Sequence, residues 1–291
     1  MKILRQSIFK LQVNYFNQYK DLSMYKEILV TVQNDIAYIK LNRPKSGNAI
    51  TLNLAEELLK AAIYCDQNKF IRCVVLSAEG PFFCTGGDLE EFQAAGDNIS
   101  EFLSKLAGIL HLAISRFIRM NKPLLVAVNG TAAGAGMSLS LIGDIVIAKD
   151  SAQFCPAYTG IGLSPDAGLT WYLPKIVGLR RAQEILMINK KMSANTALEY
   201  GLLTMVFSDA DFDQQVKENV TLLANQPLPA LNNIRQLLLS SHQNSLETHL
   251  ELEARAIAAV SFDITVKEGM AAFLEKRRPD FKKFEIPPIS V

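Results

Sequence analysis

From residue 27 onward the apolar positions fall into two rhythms. "EILVTVQ" (27–33) and "IAYIKLN" (36–42) alternate and carry β-branched residues around a polar "ND", so they predict two strands. "TLNLAEELLKAAIYCDQN" (51–68) shifts to helical spacing, with Thr51 placed to cap it. "IRCVVLSAEG" (71–80) and "KPLLVAVNG" (122–130) are continuous apolar runs and predict buried strands, and "IVIAKDSAQFCPAY" (145–158) has further strand character. Between them lie "PFFCTGGDL" (81–89), read as a loop, a helix start at "DLEEFQAA" (88–95) and an amphipathic helix over about 100–120. "TAAGAGMSLSLIGD" (131–144) predicts a small-residue loop running into a helix.

Strand, glycine-containing loop and helix thus alternate three times before residue 150, which is α/β order. After residue 208 the strand signals stop. "DFDQQVKENVTLLANQ", "PALNNIRQLLLSSHQN", "LETHLELEARAIAAV" and "VKEGMAAFLEKRRPDF" all predict helices. The expected organisation is an N-terminal extension at 1–23, an α/β core at 24–208, and a helical region with a Pro-rich tail at 209–291.

Composition narrows the function classes. Hydrophobic residues make up 49% and charged residues 20%, as in a well-cored globular protein. The net charge of +1 gives no general attraction to nucleic acid or acidic membrane, and no apolar run reaches the roughly 18 residues of a membrane span. Residues 1–23 lack the continuous apolar region and cleavage site of a secretory signal, and read as an upstream extension in preference to a transit peptide. Cys65, Cys73, Cys84 and Cys155 form no CxxC pair, so buried thiols in a reducing cytoplasm are expected. No residue set implies a metal or cofactor, and the scattered His111, His242 and His249 suggest no histidine triad.

Two loops invite chemistry. "CTGGD" (84–88) and "AAGAGM" (132–137) each follow a buried strand and lead into a helix. Small residues let the backbone approach a ligand, and unpaired amides at a helix start suit an oxyanion. The plainer reading is that the glycines only permit tight strand–helix turns. A dinucleotide site at "GAGMSL" fails on its third glycine position, which is Leu139. Downstream, "GIGLSPDAGLTWYLP" (160–174) sets Asp166 among glycine, proline and apolar residues. By local sequence this is a Pro-Asp turn or a proton carrier whose pKa Leu163, Pro165, Leu169 and Trp171 would raise by limiting its hydration.

Taken together, "NRPKSGNAI", "FFCTGGDL", "KPLLVAVNGTAAGAGMSLSLIGDIVIAKDSAQF" and "LSPDAGLTWYLPKIVGLRRA" resemble the enoyl-CoA hydratase/isomerase (crotonase) superfamily over residues 24 to about 284. "SPDAG", "TWYLP" and "EGMAAFLEKRRPDF" are most similar to its phenylacetate-pathway 1,2-epoxyphenylacetyl-CoA isomerase branch. The resemblance implies a spiral of ββα turns with a helical C-terminal region, assembled as a homotrimer or homohexamer. It implies an acyl-CoA substrate whose thioester oxygen lies between the amides of Gly87 and Ala135. Hydratases of the family use two glutamates, at positions that read here as Ser138 and Tyr158. Asp166 stands where the isomerase branch keeps its single acid, so the resemblance implies an isomerase; an atypical hydratase and a silent acyl-CoA-binding homologue are the alternatives. Lys45, Gly47, Cys84 and Gly86 are the implied CoA contacts, with Arg43 or Lys276 as cations for its 3′-phosphate. Asp88 is expected to cap a helix or brace its loop. Ser138 and Tyr158 are expected to line the acyl pocket; Phe83, Phe92, Met137 and Trp171 are further lining candidates that core packing would explain equally well. Leu169, where close relatives usually have glycine, is expected to narrow that pocket.

Overall fold

A computed structural model describes residues 25–284; the extension expected at 1–23 lies outside the described residues. Two sheets organise the chain. In the first, β1 (Ile28–Gln33) and β2 (Ile36–Leu41) pair antiparallel, and β3 (Cys73–Ala78), β5 (Leu124–Val128), β7 (Ile145–Lys149) and β10 (Met205–Phe207) follow in parallel. The second holds β4 (Phe82–Cys84), β6 (Thr131–Ala133) and β8 (Gln153–Cys155) in parallel, with β9 (Met192–Ser193) antiparallel at its edge.

Three times the chain lays down a strand of the first sheet, then one of the second, then a helix. The pairs are β3–β4, β5–β6 and β7–β8. This is the expected spiral of ββα turns. The helices as far as residue 199 are α1 (Leu52–Gln67), which precedes β3, α2 (Leu89–Ala94), α3 (Ile99–Arg119), α4 (Ala135–Ser140), α5 (Leu169–Val177), α6 (Leu179–Met187) and α7 (Ala194–Glu199), which follows β9. The described strands end at Phe207, and α8 (Phe212–Ala224), α9 (Leu228–Ser241), α10 (Leu246–Val260), α11 (Ile264–Leu274) and a short 3-10 turn at Phe281–Phe284 follow among the described residues.

The period-2 pattern divides the first sheet's side chains between two cores. Val74, Leu76, Leu124, Val126, Val128, Val146 and Ala148 face the main core under α1 and α3. Cys73, Val75, Leu125, Ala127 and Ile147 face the other way, onto Phe212, Val220 and Ala224 of α8. Both faces are buried, which is why these strands read as unbroken apolar runs. Thr51 caps α1 by accepting from the Leu54 amide at 2.9 Å. The buried Glu57 of α1 accepts from the amides of Lys26, Glu27 and Ile28, pinning the start of β1.

Candidate active site

Three strands of the second sheet, β4, β6 and β8, deliver loops to one place. After β4 the chain runs Thr85–Gly86–Gly87–Asp88 into α2, and after β6 it runs through Gly134 into α4. The loops meet at their glycines. Gly86 has φ +106°, and a Cβ there would lie 3.3 Å from the Ala133 carbonyl oxygen. Gly134 has φ +54°, and its Cβ would lie 3.3 Å from Gly86 Cα. Both contacts are tighter than ordinary packing, and both φ values favour glycine.

The loops' amides divide into engaged and open ones. Asp88 N donates to Ile50 O at 3.0 Å and Gly134 N to Cys155 O at 3.0 Å. Among the described residues the amides of Gly87 and Ala135 donate to nothing. Both residues line a cavity of about 380 Å³. Phe92, Leu103, Leu106, Ala107, Leu110 and Leu163 give its wall apolar surface, and Tyr158 and Asp166 line it together with the two loops.

Asp166 is held on three sides. Its Oδ1 accepts from the Tyr158 hydroxyl at 2.6 Å. That hydroxyl lies 3.1 Å from Ser138 Oγ, which also reaches the Asp166 carbonyl at 3.2 Å. Asp166 Oδ2 lies 3.5 Å from Nε2 of His111, and the same Nε2 accepts from the amide of Ala167 at 3.1 Å. Burial, reinforced by the Asp166 charge, pushes the Tyr158 hydroxyl well above the usual phenol range. Tyr158 is therefore a fixed donor and Asp166 its acceptor.

These surroundings correct several expectations. Asp166 was expected among apolar neighbours, yet a phenol, a serine hydroxyl and an imidazole gather round it, and its side chain keeps 34% of its exposure. Leu169 is fully buried in the main core at the start of α5 and does not line the cavity. Ser138 is fully buried and acts on Asp166 from behind Tyr158; it is not part of the cavity wall. The Cys84 side chain turns inward, burial pushes its thiol up to about 12, and it too is absent from the wall. Phe83 and Met137 are core residues; Phe92 does line the cavity. Trp171 lies beside a second cavity with Lys175 over its ring.

Among the candidate CoA contacts, Lys45 is exposed on the short turn Pro44–Ser46, and Gly47 packs on Thr85, which lines the cavity. Arg43 is engaged: its guanidinium donates to Ala49 O at 2.6 Å and Asp88 Oδ2 at 2.8 Å, with Glu27 at 3.4 Å. Asp88 caps α2 through the amides of Glu90 and Glu91 and braces its loop through Arg43. Burial opposes its charge, but Arg43 and the two amides outweigh burial and hold its carboxyl below the usual range. Lys276 is exposed past the end of α11 and is not in the cavity wall.

His111 is the residue that sequence reasoning passed over. It sits on α3 at the same helical face as Leu103 and Ala107, eight and four residues before it. That spacing, once Leu103 and Ala107 are assigned to a pocket, is the signal that places it.

The family model described as enoyl-CoA hydratase/isomerase matches residues 31–284. The chain is 34% identical to 1,2-epoxyphenylacetyl-CoA isomerase of Escherichia coli (strain K12), covering 89% of this chain and 99% of that one. It is 37% identical to a probable enoyl-CoA hydratase of Rhodobacter capsulatus, covering 88% and 98%. A crystal structure of enoyl-CoA hydratase from Bacillus anthracis superposes with a TM-score of 0.84 at 30% identity, covering 88% of this chain and 99% of that one. With its alternating two-sheet spiral and a family match over nearly its whole described length, this chain belongs to the enoyl-CoA hydratase/isomerase family.

Proposed function

We propose that this protein is an acyl-CoA isomerase that moves a double bond between the 3 and 2 positions of an enoyl-CoA, with Asp166 as the single acid/base. The observation that carries the reading is the cavity wall: among its described residues Asp166 is the one carboxylate, and it faces the same space as the open amides of Gly87 and Ala135.

The thioester oxygen takes the two amides, which acidify the C2 proton by stabilising the negative charge that develops when it leaves. Removing one such donor typically costs about 2.7–4 kcal/mol of barrier. Asp166 takes the proton from C2, the dienolate forms, and the same carboxyl returns the proton at C4. Oδ1 is engaged by Tyr158, so Oδ2 is the oxygen free to receive it. Rearrangement of 1,2-epoxyphenylacetyl-CoA, the compound in the Escherichia coli relative's name, can use the same base and enolate. Hydration needs a second group to deprotonate water. Ser138 and Tyr158 do not supply it: Ser138 is sealed from the cavity, and the Tyr158 proton is already given to Asp166.

Coenzyme A belongs to the substrate, and the reading uses no cofactor or metal. Lys45, Gly47 and Gly86 are the candidate contacts for its pantetheine and nucleotide. A homotrimer or homohexamer working in the cytoplasm is the expected form; exposed apolar residues such as Leu246, Leu250, Phe262 and Phe273 would be covered by assembly.

The test is interconversion of 3-enoyl- and 2-enoyl-CoA by the parent and by Asp166→Asn. The variant should keep CoA binding and lose about 10²–10⁴-fold in kcat. An equally fast variant, or water addition that survives the change, overturns the reading. Binding without turnover across aliphatic and aromatic acyl groups would make the protein a silent acyl-CoA-binding homologue.

A further inference from the structure

We propose that His111 is a positioning residue for Asp166, acting through the amide of Ala167 and only while its imidazole is neutral; the proposal rests on the acid/base reading of Asp166. The chain after Asp166 makes an unusual turn. Ala167 has φ +53° and Gly168 has φ +84°, two successive left-handed residues before α5 begins. Alanine rarely adopts that conformation without neighbours that enforce it. Here hydrogen bonds on both sides of the turn enforce it. The Asp166 carbonyl accepts from the Leu169 amide at 3.1 Å and from Ser138 at 3.2 Å, and the buried Ala167 amide donates to His111 Nε2 at 3.1 Å. The carboxylate is thus aimed by its own side-chain partner, Tyr158, and by a backbone clamped on both sides.

The direction of the His111 bond fixes its state. An imidazole nitrogen that accepts from an amide carries no proton, so His111 is neutral with its hydrogen on Nδ1. In that state Nε2, 3.5 Å from Oδ2, offers it no hydrogen and leaves its lone pairs to the substrate. Protonation puts a hydrogen on Nε2. The nitrogen must then release the Ala167 amide and turn its new N–H to Oδ2, occupying the oxygen that takes the C2 proton. Both changes slow the reaction.

The His111 side chain keeps half its exposure and lines a second cavity of about 310 Å³ together with Ala167 and Gly168. Around it, Asp166 is the one anion in contact. Tyr172 of α5, whose phenol burial pushes up to about 12, stays neutral, and Lys175 of the same helix sits over Trp171. Arg119, two turns along α3, lines the same cavity as a cation. On the neighbouring helices Arg235 of α9 is paired with Asp144, and Asp66 of α1 is paired with Arg116.

The experiment compares His111→Gln and His111→Leu with the parent and with Asp166→Asn, measuring kcat and KM for a 3-enoyl-CoA as pH is lowered. Leucine removes the acceptor, and kcat should fall by up to about 10²-fold with KM nearly unchanged. Glutamine supplies a carbonyl to the Ala167 amide and cannot titrate. It should recover most of kcat, and its acidic limb should move to lower pH than the parent's. A glutamine variant with the parent's acidic limb, or one no faster than leucine, overturns the proposal, as does a leucine variant as fast as the parent. If leucine does not fold, the pH profile of glutamine decides alone. An active Asp166→Asn would instead remove the underlying acid/base reading, whatever the His111 variants do.

Discussion

The two loops that meet at the cavity look alike in sequence and are built by different means. The Thr85–Asp88 loop adds charge and side chains to its main-chain bonds with Gly47 and Ile50. Asp88 caps α2, Arg43 pairs with Asp88, and the Phe92 ring stands directly over Gly87, where a Cβ would lie 2.3 Å from its Cζ. The Gly134–Met137 loop is held by exclusion. Every residue of α4 is buried, no side chain caps it, and a Cβ at Gly136 would lie 2.1 Å from the Cys84 carbonyl oxygen. One open amide is therefore positioned in part by groups that can titrate or swing, and the other by backbone against backbone. The lesson is that similar open amides can fail in different ways.

The largest effect should come from the packed loop. Gly136→Ala drives a methyl into main chain that cannot step aside, and a loss of more than about 3 kcal/mol in a denaturant melt is expected. A variant as stable as the parent would break the contrast. Gly87→Ala is the matched change in the other loop. There the obstacle is the end of a phenylalanine side chain, so the fold should survive while the displaced ring enters the cavity. A kcat/KM loss of up to about 10²-fold is expected. Adding Phe92→Ala should return part of that activity; no recovery would mean that the Gly87 methyl itself does the harm.

Asp88→Ala comes next, at about 1–3 kcal/mol, from two amides losing their acceptor and Arg43 losing its partner. Asp88→Asn keeps the cap and should cost less. The pH dependence sharpens this. The folded-state pKa of Asp88 lies below its unfolded value, so the unfolded chain binds the proton first as pH falls. The Asp88 contribution is present above the ordinary carboxyl range and is lost as pH drops through the lowered folded pKa. Melts in acid should show that loss in the parent and not in Asp88→Asn, whereas Gly136→Ala should be about equally destabilised at each pH.

How far the sequence carries the reader differs in the same way. The long elements were legible. β1, β2, β3 and β5 follow from alternation and apolar runs, and α1 from its spacing and its Thr51 cap. β4, β6 and β8 are three residues each, too short for a period to register, so "PFFCTGGDL" reads as loop where Phe82–Cys84 is a strand. That strand is also why Cys84 turns away from the cavity: alternate residues of a strand point to opposite sides, and a motif does not say which. The surroundings of Asp166 were misjudged because adjacency in sequence stood in for adjacency in space. Leu169 is three residues away and points into the core, while His111, 55 residues upstream, touches the carboxylate. Arg43 was readable as a free cation only because Asp88, 45 residues on, is invisible as its partner until the chain folds.

The Ser138–Tyr158 pair has a consequence for how such a chain could change its chemistry. A lone glutamate in place of Ser138 would enter a fully buried space, facing the carbonyl of residue 166 and a phenol whose hydrogen is committed elsewhere. A lone glutamate in place of Tyr158 would set two anions side by side. Both replacements together would crowd three carboxylates into one cluster with Asp166, so the two glutamates could be accommodated only if residue 166 gave up its charge as well.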